Sequence, residues 1–374
     1  MTRTSLLVIC ALIAGTSIAL ATNGREGWLK SHAGTPAAVR LAAKPPAPEP
    51  IPAKAQFGFV LTPSSAPASA PVGSYARGCL AGAAALPPSG PAWQIMRPSR
   101  NRNWGHPGLV SYITRFATDM RDRERWSGLL IGDMSQPRGG PMLTGHASHQ
   151  TGLDVDIWYR PMPAKDLTAS ERETASPEFL ADNDGASVIA EHWHEGWVRL
   201  LRRAASYPEV ARIFVHPTIK KALCEAPQAD RRWMTKVRAY YLHNDHFHVR
   251  LHCPPGVKSC IAQADPSPDD GCGKELDYWM KRVAKPVASA VAAAGAPEAP
   301  ATVVTAPPKP AIVATAPKAP PPPPHYVTLA DLPVDCRAVL ADGNPALLAV
   351  VAPDAADVPL PEPSPARLAM ALHR

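Results

Sequence analysis

Two short segments of this chain carry side chains of the types that can bind a metal. The first, Gly145-His-Ala-Ser-His-Gln-Thr-Gly-Leu-Asp-Val-Asp-Ile-Trp158, holds His146 and His149 in a glycine-bounded polar loop that runs into a strand-like alternation. Val155 and Ile157 there face one side and Asp154 and Asp156 the other, so a loop histidine can fold over a strand carboxylate. The second, His243-Asn-Asp-His-Phe-His-Val-Arg250, puts His246 and His248 on one face and Phe247 and Val249 on the opposite one. Same-face neighbours lie roughly 6–7 Å apart. One ring of the pair can therefore hold a metal at about 2.0–2.1 Å while the other reaches a water on it. Imidazoles and a carboxylate with one position left open suit catalytic zinc rather than a closed structural site. Such an ion polarises a scissile carbonyl and lowers the pKa of a bound water, and a nearby base moves the proton. His246 is the candidate base. Nothing around Ser148 or the cysteines supports a serine or cysteine nucleophile.

These residues need a frame that holds a loop against two strands. Strand-like runs are Leu129–Gly132, Leu153–Trp158, Ile213–His216 and Phe247–Leu251. Helical stripes are Leu109, Tyr112, Ile113, Phe116 and Met120 behind Pro107; Trp193, Trp197, Leu200 and Leu201; and Trp233, Val237, Tyr240 and Tyr241. The mixture predicts an α+β domain with a small antiparallel sheet that carries the zinc site, flanked by helices. His192-Trp-His194 repeats the H-x-H spacing but falls in a helical stripe, where residues two apart point about 200° apart. It is not expected to chelate.

Composition sets the boundaries. Met1–Ala21, with Arg3, an apolar run from Leu6 to Ala14 and Ala19-Leu20-Ala21, reads as a cleaved secretory signal; the run is shorter than the roughly 20 residues of a membrane span. Residues 22–72 form an Ala/Pro-rich N-terminal segment, residues 73–284 the candidate zinc peptidase domain, residues 285–325 a Pro/Ala linker and residues 326–374 a tail containing Cys336. Proline, at 45 residues, is far above the usual share of about 5% and marks the linkers. With Cys10 lost on export, Cys79, Cys224, Cys253, Cys260, Cys272 and Cys336 remain, an even set that predicts disulfides in an oxidising compartment with the pairing left open. A disulfide from Cys336 would explain a cysteine beyond so long a linker. The excess of Lys+Arg (39) over Asp+Glu (32) and a pI near 9.1 suit an anionic polymer but do not choose between cell wall and nucleic acid. No nucleic-acid role is expected on charge alone, and no membrane span after signal cleavage.

In these segments the chain resembles the penicillin-insensitive murein endopeptidases, within the wider group of lysostaphin-type peptidases, D-Ala-D-Ala carboxypeptidases and Hedgehog domains. The resemblance runs over about Gly73–Glu275 and includes Gly73-Ser-Tyr-Ala-Arg-Gly-Cys79, the stretch Arg97–Pro107, Ile131–Asp156 and Lys236–Pro254. It implies zinc on His149, Asp156 and His248, a catalytic His246, and His243 and His146 near the centre as substrate or oxyanion contacts or as structural hydrogen-bonders. It also implies a periplasmic enzyme cleaving the D-alanyl to meso-diaminopimelate bridge of peptidoglycan, and penicillin insensitivity because no acylatable serine takes part. The family's disulfide pattern pairs Cys79 with Cys336, Cys224 with Cys272, and Cys253 with Cys260. Asp133 and Arg138 would either meet the amine and carboxylate of diaminopimelate or fix their loop. A second zinc at a dimer interface would use His146 and Asp184. Ser187 stands where its third ligand belongs, so this sequence departs from the family there and at the long linker. The rival readings are a carboxypeptidase trimming terminal D-alanine and a non-catalytic wall-binding module that keeps zinc for structure.

Overall fold

A computed structural model describes residues 51–182, 185, 187–283 and 326–342. The signal, the Pro/Ala linker, Asp184 and the end of the tail therefore lie outside the described residues. In chain order the elements are α1 (Ala53–Gly58), β1 (Ala70–Ser74), β2 (Arg77–Ala81), β3 (Ala84–Ala85), β4 (Ser89–Gly90), β5 (Trp93–Ile95), β6 (Trp104–Gly105), α2 (Pro107–Glu124), β7 (Leu129–Ile131), β8 (Asp154–Pro161), α3 (Ala169–Thr174), α4 (Glu195–Ala205), β9 (Val210–Val215), α5 (Pro217–Glu225), β10 (Val237–Ala239), β11 (His246–Leu251), α6 (Lys274–Val283) and α7 (Asp335–Ala341). No helix among the described residues is long and apolar enough to cross a membrane.

The α+β class holds. The sheet that carries the candidate site is larger than the spacing predicts: seven strands in the order β10-β9-β11-β8-β7-β5-β4. Its central pairs, β9 with β11, β11 with β8 and β8 with β7, are antiparallel. Two flanking pairs, β9 with β10 and β5 with β7, are parallel. Each parallel pair needs a crossover, supplied by α5 in one case and α2 in the other.

One face of this sheet makes the main core. Val155, Ile157, Phe247, Val249, Ile213 and Val215 are buried with the apolar stripes of α2 and α4. Phe247 meets Phe116 edge-on at 6.5 Å and Tyr159 at 5.6 Å. The alternation that buries these residues sends Asp154, Asp156, His246 and His248 to the other face. Helix starts are set by histidine caps: the Nδ1 of His106 accepts from the backbone N–H of Gly108 at 3.0 Å, and that of His216 from Thr218 at 3.3 Å, each followed by proline at the first helical position.

Two predicted helical stripes differ from expectation, one being shorter and the other not an α-helix. α4 begins only at Glu195, with His194 as its extended cap accepting from the N–H of Gly196 at 3.1 Å. His192 lies in the preceding turn and donates from Nδ1 to the Phe179 carbonyl at 2.7 Å. The two residues therefore do not share a helix, and each ring engages backbone through Nδ1. The Trp233–Tyr241 stretch is a 3-10 turn over Arg232–Lys236 followed by β10, because Val237 and Ala239 join the sheet edge beside β9.

Residues 51–72, read from composition as a linker, are packed in part. Phe57 of α1 is buried with Val72, Cys79, Leu329, Leu332, Cys336, Val339 and Leu340 in a second cluster that includes the tail. Gly140, at φ 76°, lets this cluster close on the site loop, since a Cβ there would sit 2.2 Å from the Phe57 ring.

Candidate active site

Asp156 on β8 stands directly opposite His248 on β11, and Trp158 opposite His246. His149 enters from the loop in a left-handed conformation, φ 66°. Asp154 fixes that turn by accepting the His149 backbone N–H at 3.0 Å. His149 donates from Nδ1 to the Met134 carbonyl at 2.8 Å. A carbonyl only accepts, so the proton is on Nδ1 and Nε2 carries a lone pair. That Nε2 lies 3.3 Å from Asp156 Oδ1. His248 approaches the same oxygen with Nδ1 at 3.2 Å and places Nε2 3.1 Å from Asp154 Oδ1. His146 sets Nδ1 3.4 Å from Asp156 Oδ2 and Nε2 3.0 Å from Asp133 Oδ2. His246 sets Nε2 3.7 Å from Asp156 Oδ1, its Nδ1 bonded to Asp245 at 2.6 Å.

His146, His149 and Asp156 each offer one ligand atom, and these atoms lie within 4.8 Å of one another. Among the described residues, the buried atoms His149 Nε2 and Asp156 Oδ1 have no hydrogen-bond partner. Leaving such atoms unsatisfied costs about 1–3 kcal/mol each. A cation between them satisfies both, so the donor set fits a divalent metal.

Charge is distributed accordingly. Burial opposes ionisation of Asp156, but His149, His246 and His146 outweigh it and hold the carboxyl well below the usual range. Burial of Asp154 is likewise outweighed by Arg250 and His248, and burial of Asp133 by His146 and by Arg102 and Arg100. Burial works against a charge on His246, but Asp156 and Asp245 raise it to about 8. His243 is pushed well below its ordinary value by burial and by His246 and His248; it donates from Nδ1 to the Tyr241 carbonyl at 2.7 Å and its ring lies 5.1 Å from that of His246. A cleft lined by Arg97, Arg100, Asp133, His146, Asp156, Trp158 and His246 opens onto this cluster.

A family model described as penicillin-insensitive murein endopeptidase matches residues 71–341. The chain belongs to that family. A penicillin-insensitive murein endopeptidase of Klebsiella pneumoniae is 43% identical over 210 residues, 56% of this chain and 76% of the relative. One from Haemophilus influenzae is 42% identical over 222 residues, 59% and 76% of the two chains. One from Yersinia enterocolitica is 42% identical over 210 residues, 56% and 76%.

For this murein endopeptidase family member the three implied disulfides are formed: Cys79–Cys336, Cys224–Cys272 and Cys253–Cys260. The first ties the tail to β2. Arg138 does not face the cleft. It donates to the carbonyls of Thr62, Val339 and Leu340, between the N-terminal segment and the end of α7. Asp133 does line the cleft, but its Oδ2 already accepts from Arg100 at 3.1 Å and Arg102 at 2.7 Å, next to His146. Of the second-metal pair, His146 faces the centre and Asp184 lies outside the described residues.

Two features escaped the sequence reading. Asp154 backs His248, and its only signal was its place in the same alternation as Asp156. Arg97 and Arg100 line the cleft, carried by a stretch with no metal-like pattern.

Proposed function

We propose that this chain is a zinc-dependent murein endopeptidase that hydrolyses D-alanyl to meso-diaminopimelate cross-links in the periplasm, after removal of residues 1–21. The observation that carries the reading is the convergence of His149 Nε2, His248 Nδ1 and Asp156 Oδ1, where His149 Nε2 and Asp156 Oδ1 have no hydrogen-bond partner among the described residues. These three residues would hold one zinc ion. When bound, zinc polarises the scissile carbonyl and makes water a nucleophile near neutral pH.

The remaining work falls to side chains. The Met134 carbonyl and Asp154 orient the two ligating rings from behind. His246, anchored through Nδ1 by Asp245, turns Nε2 toward the centre and is placed to take the proton of the attacking water and return one to the leaving amine. His243, kept neutral, and His146 flank the centre as contacts to substrate or to charge developing on the carbonyl oxygen. Because no serine is acylated, penicillin does not inhibit.

Cross-linked muropeptide dimers provide the test. The protein should release monomers, chelator should stop it, and penicillin should not. Loss of a single alanine in place of dimer splitting would make it a carboxypeptidase, and sacculus binding without any product would make it a wall-binding module. Monomer release that survives His248→Ala would overturn the ligand assignment.

A further inference from the structure

We propose that the exposed aromatic face formed by Tyr240 and Tyr241, after β10, and Tyr278 and Trp279, on α6, binds the N-acetylhexosamine rings of the murein glycan; the choice of glycan rests on the function proposed above. The four rings form a continuous group. Tyr240 and Tyr241 stack at 4.7 Å and 26°, Trp279 lies 5.0 Å from Tyr240 and 6.3 Å from Tyr241, and Tyr278 meets Trp279 edge-on at 5.4 Å. Yet three of them stay open to water, Tyr240 at 38%, Tyr241 at 51% and Tyr278 at 53% exposure. Contiguous exposed apolar area of this kind marks a binding surface.

Its chemistry suits a sugar. A pyranose presents an apolar face of C–H groups with a rim of hydroxyls. The protein offers flat rings rimmed by phenol hydroxyls and by the Arg282 guanidinium, which lies 5.2 Å from the Tyr278 ring centre and donates to its hydroxyl at 2.9 Å. A wholly apolar partner would leave those polar groups unpaired.

The face is also continuous with the candidate catalytic centre. His243 lies 5.8 Å from Tyr240 and 5.1 Å from His246. These ring-to-ring steps place Trp279 no farther from His246 than a five-residue extended peptide spans, at about 3.3–3.6 Å per residue. A short peptide stem can therefore lie in the cleft while the sugar that carries it rests on the rings. The platform is preorganised: Cys224–Cys272 fastens the chain two residues before α6, and Arg238 of β10 bonds Glu275 of α6 at 2.7 Å.

Chitotetraose titrated into the full-length protein, followed by tryptophan fluorescence, tests this. Saturable binding is expected, weakened at least tenfold in the double variant Tyr241→Ser/Tyr278→Ser, whose half-exposed rings leave the core intact. The same variant should lower the ratio of activity on intact sacculi to activity on glycan-free peptide dimers at least fivefold. Binding that is lost in the variant supports the face whether or not cross-links are cleaved, so failure of the endopeptidase reading remains distinguishable. No chitotetraose binding by the native chain, or equal binding by the variant, overturns the proposal. So does saturation of the face by a peptide of residues 316–325 where chitotetraose fails, which would assign the rings to a proline-rich ligand.

Discussion

Asp154 Oδ1 lies 3.1 Å from Nε2 of His248. Two residues along the same strand, Asp156 Oδ1 lies 3.2 Å from the other nitrogen of that ring. One imidazole thus sits between two carboxylates with different duties. Asp156 shares its oxygen with His149, whereas Asp154 is wholly buried and compensated by Arg250 at 2.8 and 3.3 Å. Asp154 also accepts the backbone N–H of His149, so a single carboxylate orients both histidines. A carboxylate behind a ligating histidine fixes its tautomer and raises its basicity.

Asp154→Asn keeps the size and removes the charge. Metal affinity and turnover should both fall about 10–100-fold. Competition with a chromogenic chelator measures the first and muropeptide digestion the second. A variant with native metal affinity would show that Asp154 serves only to pair Arg250.

Metal should also stabilise the fold, because it satisfies buried atoms that are otherwise orphaned. Zinc at a hundred times its Kd should add about 2.7 kcal/mol. In a domain of this size that corresponds to roughly 5–10 °C in Tm. His149→Ala should remove the zinc-dependent increment. A melting curve indifferent to both zinc and chelator would refute a site at this cluster.

How much of this was legible depends on the range of the interaction. The period of two in β8 and β11 assigns Asp156, His246 and His248 to one face without any tertiary information, and the register then brings Asp156 opposite His248. His194 shows the opposite case. A histidine that caps a helix through its ring has the same local pattern as a ligand, and only the observed N–H of Gly196 on its Nδ1 separates the two. The Trp233–Tyr241 stripe reads as helical, but three residues of it gain more from pairing with β9 than from a free turn of helix. The duty of Asp154 is invisible because Arg250 lies 96 residues away. The packing of residues 51–72 is hidden for the same reason, since Phe57 is buried by a tail whose Cys336 is joined to Cys79 across 257 residues.

Lys220 on α5 carries a pH dependence away from the site. Its side chain is fully buried, and its ammonium donates to the carbonyls of Met234 at 3.3 Å and Asp270 at 2.5 Å. Burial, reinforced by Arg238, lowers its pKa from 10.5 to about 7. Between these values the unfolded chain binds more protons than the folded one, so stability rises with pH across the window; below the folded value the penalty is fully present. Lys220→Met removes the titration, and the cost of its unpaired carbonyls does not vary with pH. Urea unfolding should therefore show the wild type gaining on the variant as pH rises from 7 to 10. A constant difference would mean that Lys220 has an ordinary pKa.

Arg138 separates a structural from a substrate-binding duty. Its Nε donates to the Thr62 carbonyl at 3.2 Å, and its Nη1 to Val339 at 3.2 Å and to Leu340 at 2.5 Å. These carbonyls belong to the N-terminal segment and to the last turn of α7, where a cation also complements the helix dipole. Its own carbonyl accepts from Leu80 of β2 at 3.0 Å, so the residue joins three segments that meet behind the site loop. Arg138→Met keeps most of the stem and leaves three carbonyls short of a donor. Stability should drop by about 1–3 kcal/mol, while KM for muropeptide dimers stays within twofold of the wild type. Denaturant titration and steady-state digestion give the two numbers. A tenfold rise in KM at unchanged stability would return Arg138 to the role of a carboxylate receptor, which its bonds to the Thr62, Val339 and Leu340 carbonyls argue against.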